Sequence, residues 1–307
     1  ILAGFGFACT PEQACFAEIG ETFRNAHYLL DPHTAVATAA ARKASGGPCV
    51  VLSTASPYKF SPTVLAAVGG KYTVNFKGGS MSIYAIADLH LSLGTDKPMD
   101  IFGGWQDYVP RLEANWNRVV CPEDTVVLPG DISWAMKLEN AIEDFRFIER
   151  LPGRKVILKG NHDYWWSTMS KMDVFCASNG FTTISFLNNS SYRVGDLAIC
   201  GTRSWLFDVG EPHDAKIMNR ELCRLRASLE SAANAAERLV FLHYPPLYPA
   251  GNADEVLALL HEFEIKECWY GHLHGGAIRG AIQGEVDGIR YHLISADAVR
   301  FCPIFVR

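Results

Sequence analysis

Ser82-Ile83-Tyr84-Ala85-Ile86-Ala87-Asp88-Leu89-His90 is a short apolar run that ends on a carboxylate and, two residues later, an imidazole. Near-continuous apolar residues are what a strand buried on both faces requires, so residues 82–87 read as a central strand of a parallel sheet. Side chains at i and i+2 of extended backbone share a side, which predicts that Asp88 and His90 face one site.

The same arrangement recurs downstream. Apolar runs at 125–128, 155–158, 239–242 and 267–270 precede, in turn, Gly130-Asp131, Gly160-Asn161-His162-Asp163, His243 and Gly271-His272-Leu273-His274. Helical patterns lie between them, at about 105–120, 138–150, 167–177, 214–233 and 253–262, so strand and helix alternate and the fold class is α/β in layers. Two hairpin-like pieces, 192–200 around Gly195-Asp196 and 277–294 around Asp287-Gly288, add antiparallel pairing and a second sheet. Every ligand-type residue falls at the carboxyl end of a strand, where open α/β sheets place their ligands.

A glycine directly before a ligand lets the chain turn sharply and bring a carboxylate or amide close to an ion. Setting His162 aside, the donors are two carboxylates, one amide oxygen and four imidazoles, which is too many for one metal and about right for two ions sharing a carboxylate. With no thiolate among them, the set suits Mn, Fe or Zn ions rather than an iron-sulfur cluster. Two ions roughly 3.5–4 Å apart would lower the pKa of a bridging water and neutralise charge on attacking and leaving oxygens, which is a recipe for in-line phosphoester hydrolysis. Singly, each motif is weak; their joint order carries the reading.

Substrate contacts are expected from Arg203 and Trp205 in Gly201-Thr202-Arg203-Ser204-Trp205, the first to clamp phosphate and the second to stack on an organic group. One of Tyr164, Trp165 and Trp166 is expected to line the cleft, the others to pack in the core. The loop 91–104, rich in Gly and Asp, is expected to form a rim over the site. His27, His33, His213, His261 and His292 lie outside the pattern and read as surface or core residues.

The 307 residues, 49% hydrophobic and 20% charged, have the composition of an ordinary globular protein. A net charge of -5 without a Lys/Arg run gives nucleic acid no compositional support, and a phosphorylated small molecule is the expected partner. Nine scattered cysteines without CxxC pairs read as reduced thiols, and no apolar stretch reaches the length of a membrane span, so a cytoplasmic location is expected.

Before Met81 the character changes. Residues 1–70 read as a small α/β appendage, with Asp31-Pro32 opening a helix over 33–44, a strand at 49–53 and a helix at 63–68; residues 71–80 read as a linker, and 81–307 as the main domain.

The series Asp88-x-His90, Gly130-Asp131, Gly160-Asn161-His162-Asp163, His243 and Gly271-His272-x-His274 resembles the calcineurin-like metallophosphoesterase superfamily over most of 81–307. The resemblance implies a layered αββα sandwich. It further implies that Asp88, His90, Asp131 and His274 bind one ion, and that Asp131 bridges to a second held by Asn161, His243 and His272. His162 would be no ligand but a general acid toward the leaving group, making His162 and Asp131 the catalytic pair. Trp134 stands where members with the longer protein-phosphatase signature carry the Asp that orients this histidine, which sets the chain apart from Ser/Thr protein phosphatases and leaves that orienting partner open. A catalytically silent binding scaffold on the same fold is the alternative, to which the intact ligand set is opposed.

Asp31-Pro32-His33-Thr34-Ala35-Val36-Ala37 and Ser53-Thr54-Ala55-Ser56-Pro57-Tyr58-Lys59-Phe60 resemble the carboxy-terminal part of threonine synthase. That family uses pyridoxal phosphate, but the part bearing the Schiff-base lysine is absent here. A non-catalytic fusion or read-through remnant without that cofactor is therefore expected.

Overall fold

The computed structural model describes residues 12–26, 30, 32–43, 51, 81–205, 212–249 and 251–307. The chain divides into two units, residues 1–79 and 80–307.

In the first unit, helix α1 (Glu12–Ala26) is followed by α2 (Pro32–Lys43). Pro32 occupies the first helical position, where its missing N–H costs nothing, so α2 begins one residue before the expected start. Ile19, Leu30, Ala35 and Ala39 are buried, and the Arg42 guanidinium donates to Glu18 at 2.8 Å. The cap at Asp31, the strand at 49–53 apart from Val51, the helix at 63–68 and the linker at 71–80 lie outside the described residues.

In the second unit, period-two burial along the strands sorts apolar side chains into layers. The first sheet has the order β13-β1-β2-β3-β4, formed by β1 (Ile83–Ala85), β2 (Thr125–Pro129), β3 (Arg154–Leu158), β4 (Ile184–Phe186) and β13 (Ile304–Phe305). β1 to β4 run parallel, and β13 pairs antiparallel with β1. The second sheet joins β5 (Tyr192–Val194), β6 (Leu197–Thr202), β7 (Glu237–Leu242), β10 (Glu267–Tyr270), β11 (Gly284–Val286) and β12 (Ile289–Leu293) in the order β11-β12-β10-β7-β6-β5. A small ribbon pairs β8 (Leu247–Tyr248) with β9 (Gly251–Asn252).

Val127, Val156 and Leu158 of the first sheet meet Ile199, Leu239, Phe241 and Trp269 of the second in one buried cluster, so the sheets stack face to face. Their alternate neighbours point outward. Val126, Leu128 and Ile157 pack under α3 (Tyr108–Val119), α4 (Ile142–Arg150) and α5 (Met169–Asn179), through Leu112, Trp116, Phe145, Ile148 and Met172. Cys200, Val240, Leu242 and Tyr270 pack under α6 (Pro212–Glu230) and α7 (Asp254–Glu262), through Leu225, Leu229, Val256 and Leu260. Three apolar interfaces between four layers make the expected αββα sandwich.

The two hairpins form as β5/β6 and β11/β12, although residues 275–280 are a 3-10 turn rather than strand. The helix expected at 138–150 opens with a 3-10 turn, Leu138–Ala141.

Phe145 shows how the core reaches the site. It is fully buried with its ring 5.0 Å from that of Trp165, whose indole N–H donates to Asp163 at 2.9 Å in the Gly160-Asn161-His162-Asp163 turn. Phe145→Ala removes the packing of a large ring and is expected to destabilise the domain by about 3–5 kcal/mol in urea unfolding. A loss under about 1 kcal/mol would show that this wall can collapse without cost.

Candidate metal centre

Parallel strands bring their carboxyl ends to one edge of each sheet, and the turns that follow β1, β2, β3, β7 and β10 carry the expected ligands. Asp88, His90, Asp131 and His272 all hold left-handed backbone, at φ 62°, 45°, 54° and 71°. Such conformations cost non-glycine residues of order 1–3 kcal/mol each and persist only where the surroundings over-determine them. Here the turns after β1 and β2 hold each other, because the Asp88 N–H donates to Gly130 O at 3.0 Å and the His90 N–H to Asp131 O at 2.9 Å. This corrects the expectation for Asp88 and His90: they share a site through a strained turn, not through the period of extended chain.

Two groups of donors result. The His274 Nε2 lies 3.5 Å from Asp88 Oδ1 and 3.2 Å from His90 Nε2, with all three residues able to hold one ion. In the other group, Asn161 Oδ1 lies 2.6 Å from His243 Nε2 and 3.0 Å from His272 Nδ1. Asp131 Oδ2 stands between the groups, 3.8 Å from His90 Nε2 and 3.6 Å from His243 Nε2.

Asp88 is also near His243, with Oδ1 3.7 Å from Nδ1. That nitrogen, however, is 3.0 Å from the carbonyl oxygen of Pro129, which can only accept, so Nδ1 carries the proton and donates there. Nε2 is left as the lone-pair face, and it looks toward Asp131 and Asn161. The tautomer of His243 therefore favours Asp131 as the carboxylate common to both groups.

Around these donors lies a second layer of hydrogen bonds. Asp297 Oδ1 is 2.9 Å from His274 Nδ1, which leaves Nε2 to face the centre in the carboxylate–histidine arrangement typical of metal ligands. The buried Asp163 carboxylate accepts from the backbone N–H groups of Asp131, Ile132 and Gly160 at 2.7–2.8 Å, tying the turns after β2 and β3 together. Sequence reading missed Asp297, although it too follows a strand, β12, at the same edge. The close packing also explains two glycines: a methyl group on Gly160 would overlap the Asp131 carboxylate, and one on Gly271 that of Asp88.

The electrostatics fit divalent cations. Asp88 Oδ1 is a buried acceptor without a hydrogen bond. Burial and the facing Asp88 push Asp131 up to about 8, whereas Asp88 is held below the ordinary carboxylate range because His274, His243 and His90 outweigh its burial. His274 is raised to about 10 by Asp88 and Asp297 against the effect of burial, while burial lowers His90 to about 3 and His272 to about 4. Two facing carboxylates with only one charge between them are a site that lacks counter-charge, and oxygen and imidazole donors of this kind suit Mn, Fe or Zn.

A sign follows for metal loading. Asp131 and His274, both raised, are the groups whose protons a metal must displace, whereas Asp88, His90 and His272 are lowered and favour the deprotonated form. Loading is expected to release protons at pH 7, and affinity to rise with pH. Titration of Mn²⁺ by calorimetry in buffers of different ionisation enthalpy checks this; heats that do not depend on the buffer would contradict it.

His162 donates its backbone N–H to Asp131 Oδ1 at 2.8 Å and turns its ring toward a cavity of about 400 Å³ lined also by His90, Met99, Phe102, Trp105, Trp134 and His274. Residues 99–105 thus form the wall expected of the 91–104 loop. The His162 ring lies 4.5 Å from that of Trp134, which stacks on His90 at 4.9 Å and has the Lys97 ammonium 3.4 Å from its centre. Its Nδ1 is buried without a hydrogen bond among the described residues, and the ring packs against Trp134. Burial, His243 and Lys97 together lower its pKa.

The other expected contacts are distributed. Tyr164 is exposed, its ring 6.1 Å from that of His162, whereas Trp165 is buried and Trp166 packs against the core. Trp205 packs on Tyr244, 5.4 Å away, which in turn packs on His272 at 4.3 Å. Arg203 pairs with the buried Glu221 at 3.3 Å and lines a different cavity from His162. His292 stacks on Trp269 at 3.8 Å. The side chains of His27 and His213 are outside the described residues.

Comparison with known families agrees with this geometry. Residues 81–276 match the calcineurin-like phosphoesterase family, well over half of the chain, and residues 34–80 match the threonine synthase C-terminal family. The chain belongs to the calcineurin-like phosphoesterases, and the stretch ahead of that domain is similar to the threonine synthase C-terminal family. Threonine synthase-like 1 of Mus musculus is 45% identical over 62 residues, 20% of this chain, and that of Macaca fascicularis 41% identical over 59 residues, 19% of this chain. The chain spans 8% of the length of each of these relatives.

Among solved structures, a protein of unknown function from Aquifex aeolicus is 17% identical, covering 73% of this chain and 95% of its own, at a TM-score of 0.41. The phosphopantetheinyl hydrolase from Mycobacterium tuberculosis is 16% identical, covering 70% and 88%, at 0.45. Among the described residues, no helix is long and apolar enough to cross a membrane.

Proposed function

We propose that the chain hydrolyses a phosphomonoester or phosphodiester of a small organic molecule, using two divalent ions held by Asp88, His90, Asp131 and His274 on one side and by Asp131, Asn161, His243 and His272 on the other. The observation that carries this is the convergence of two donor groups on Asp131, with Asp88 within reach of both, beside an imidazole that is in neither group and faces a cavity. Bound there, the ions supply Lewis acidity for the phosphoryl oxygens and lower the pKa of water.

The protein's own residues do the rest. Asp131 and Asn161 are fixed by the Asp163 and His162 backbone contacts, so the ligand cage is pre-set rather than assembled on loading. His162 sits on the cavity side, where the leaving group would lie, and gives it a proton or a hydrogen bond. The aromatic and Met side chains of that cavity favour an apolar or flat leaving group and exclude water around the departing oxygen. Residues 1–70 take no part in this chemistry, and the free, largely buried cysteines Cys176, Cys200 and Cys268 suit a reducing, cytoplasmic setting.

The metal-loaded chain should turn over p-nitrophenyl phosphate or bis-p-nitrophenyl phosphate, with Mn²⁺ as the first metal tried. Two bound metal equivalents without turnover of either ester would overturn the hydrolase reading in favour of a binding scaffold.

A further inference from the structure

A second cavity, of about 180 Å³, opens beside β6 and α6 and shares no lining residue with the one that holds His162. Its charged residues are Lys159, Arg203, Arg224 and Glu221, with Ser167 and Asn188 among the polar ones. Three cations face one carboxylate, so the lining carries a formal surplus of two positive charges.

Glu221 is buried and fully committed. It accepts from Thr202 Oγ1 at 2.5 Å, from Arg224 Nη1 at 2.7 Å and from Arg203 Nη2 at 3.3 Å. It therefore acts as an anchor that holds two guanidinium groups in place, that of Arg203 also lying over the Trp205 ring at 4.9 Å. Arg203 Nε is buried with no hydrogen-bond partner, and Lys159 has no ion pair among the described residues. A buried donor left without an acceptor costs stability, which an incoming anion would recover. A cavity with surplus N–H donors, held rigid by an internal carboxylate, has the chemistry of an oxyanion pocket and is too small and too charged for an apolar group.

We infer that Lys159, Arg203 and Arg224 form a binding pocket for a phosphate-type oxyanion, distinct from the metal centre. The oxyanion is either a second phosphate of the substrate or a free ion. The inference does not depend on the hydrolase reading, because its first test needs neither metal nor turnover.

Inorganic phosphate titrated by calorimetry into the chelator-treated full chain should bind one ion per chain, more weakly as NaCl rises. Arg224→Gln should weaken binding by roughly tenfold or more, and Arg224→Lys by less, since it keeps the charge but loses the fork. Circular dichroism of both variants checks that they are folded, and Lys159→Gln serves as an independent second variant. No binding at tens of millimolar phosphate, or wild-type affinity in both Arg224→Gln and Lys159→Gln, would overturn the inference. On the metal-loaded chain, a KM increase in Arg224→Gln that is larger for a bisphosphate probe than for p-nitrophenyl phosphate identifies the ion as part of the substrate. Sulfate that alters wild-type turnover but not that of Arg224→Gln identifies it as free.

Discussion

Asp131→Ala is expected to lose high-affinity loading of both metal equivalents and to lower kcat/KM by about four decades or more, since one deletion removes the carboxylate that faces His90 on one side and the Nε2 of His243 on the other. The tautomer of His243 decides which carboxylate it faces as a ligand. With Nδ1 donating to the Pro129 carbonyl at 3.0 Å, only Nε2 can serve as a ligand, and its carboxylate neighbour is Asp131 Oδ2 at 3.6 Å rather than Asp88. Asp131 also carries the backbone of His162 on its other oxygen, at 2.8 Å, so the alanine variant releases the turn after β3 as well.

Asp131→Asn separates these contributions. It keeps an acceptor for the His162 N–H but lacks the negative charge, so it should preserve the fold and still fail to hold two ions. Metal content by mass spectrometry after gel filtration, beside turnover of bis-p-nitrophenyl phosphate, gives both readings. Retention of one equivalent at wild-type affinity in both variants would mean that Asp88, whose Oδ1 faces His274 Nε2 at 3.5 Å, holds its ion without help. Asp131 would then not be the bridge.

The fold was legible because its rule is local. Each parallel strand is a short apolar run, each ligand follows its carboxyl end, and 125–128, 155–158, 239–242 and 267–270 all lie within the observed β2, β3, β7 and β10. What the sequence did not disclose depends on contacts distant in the chain. The left-handed turns at Asp88 and His90 are set by hydrogen bonds to residues 130 and 131, some forty positions away. β4 and β13, of three and two residues, carry too little pattern to read; β13 exists because β1 offers an open edge. Asp297 is a support for His274 only once β12 lies beside β10. Likewise Arg203 looked like a phosphate clamp from its place after a strand, but Glu221, on α6, turns it toward another cavity.

The same lesson bears on His162, the residue whose replacement should have the second large effect. His162→Ala is expected to retain both metals and to lower kcat by about two to four decades, because the ring is absent from both donor groups yet faces the cavity beside His90 and His274. Its backbone contact to Asp131 survives the substitution, so the cage is left in place. A group that assists departure matters most when the leaving oxygen is basic; the loss should therefore be larger for an alkyl ester than for a nitrophenyl ester, whose leaving group departs with little help. Trp134→Phe then asks what holds the ring. If stacking at 4.5 Å does the work that a carboxylate does elsewhere, the phenylalanine variant should lose less than His162→Ala and show the same dependence on leaving group. Wild-type rates for both esters in His162→Ala would remove the imidazole from the chemistry and reduce Trp134 to a packing role.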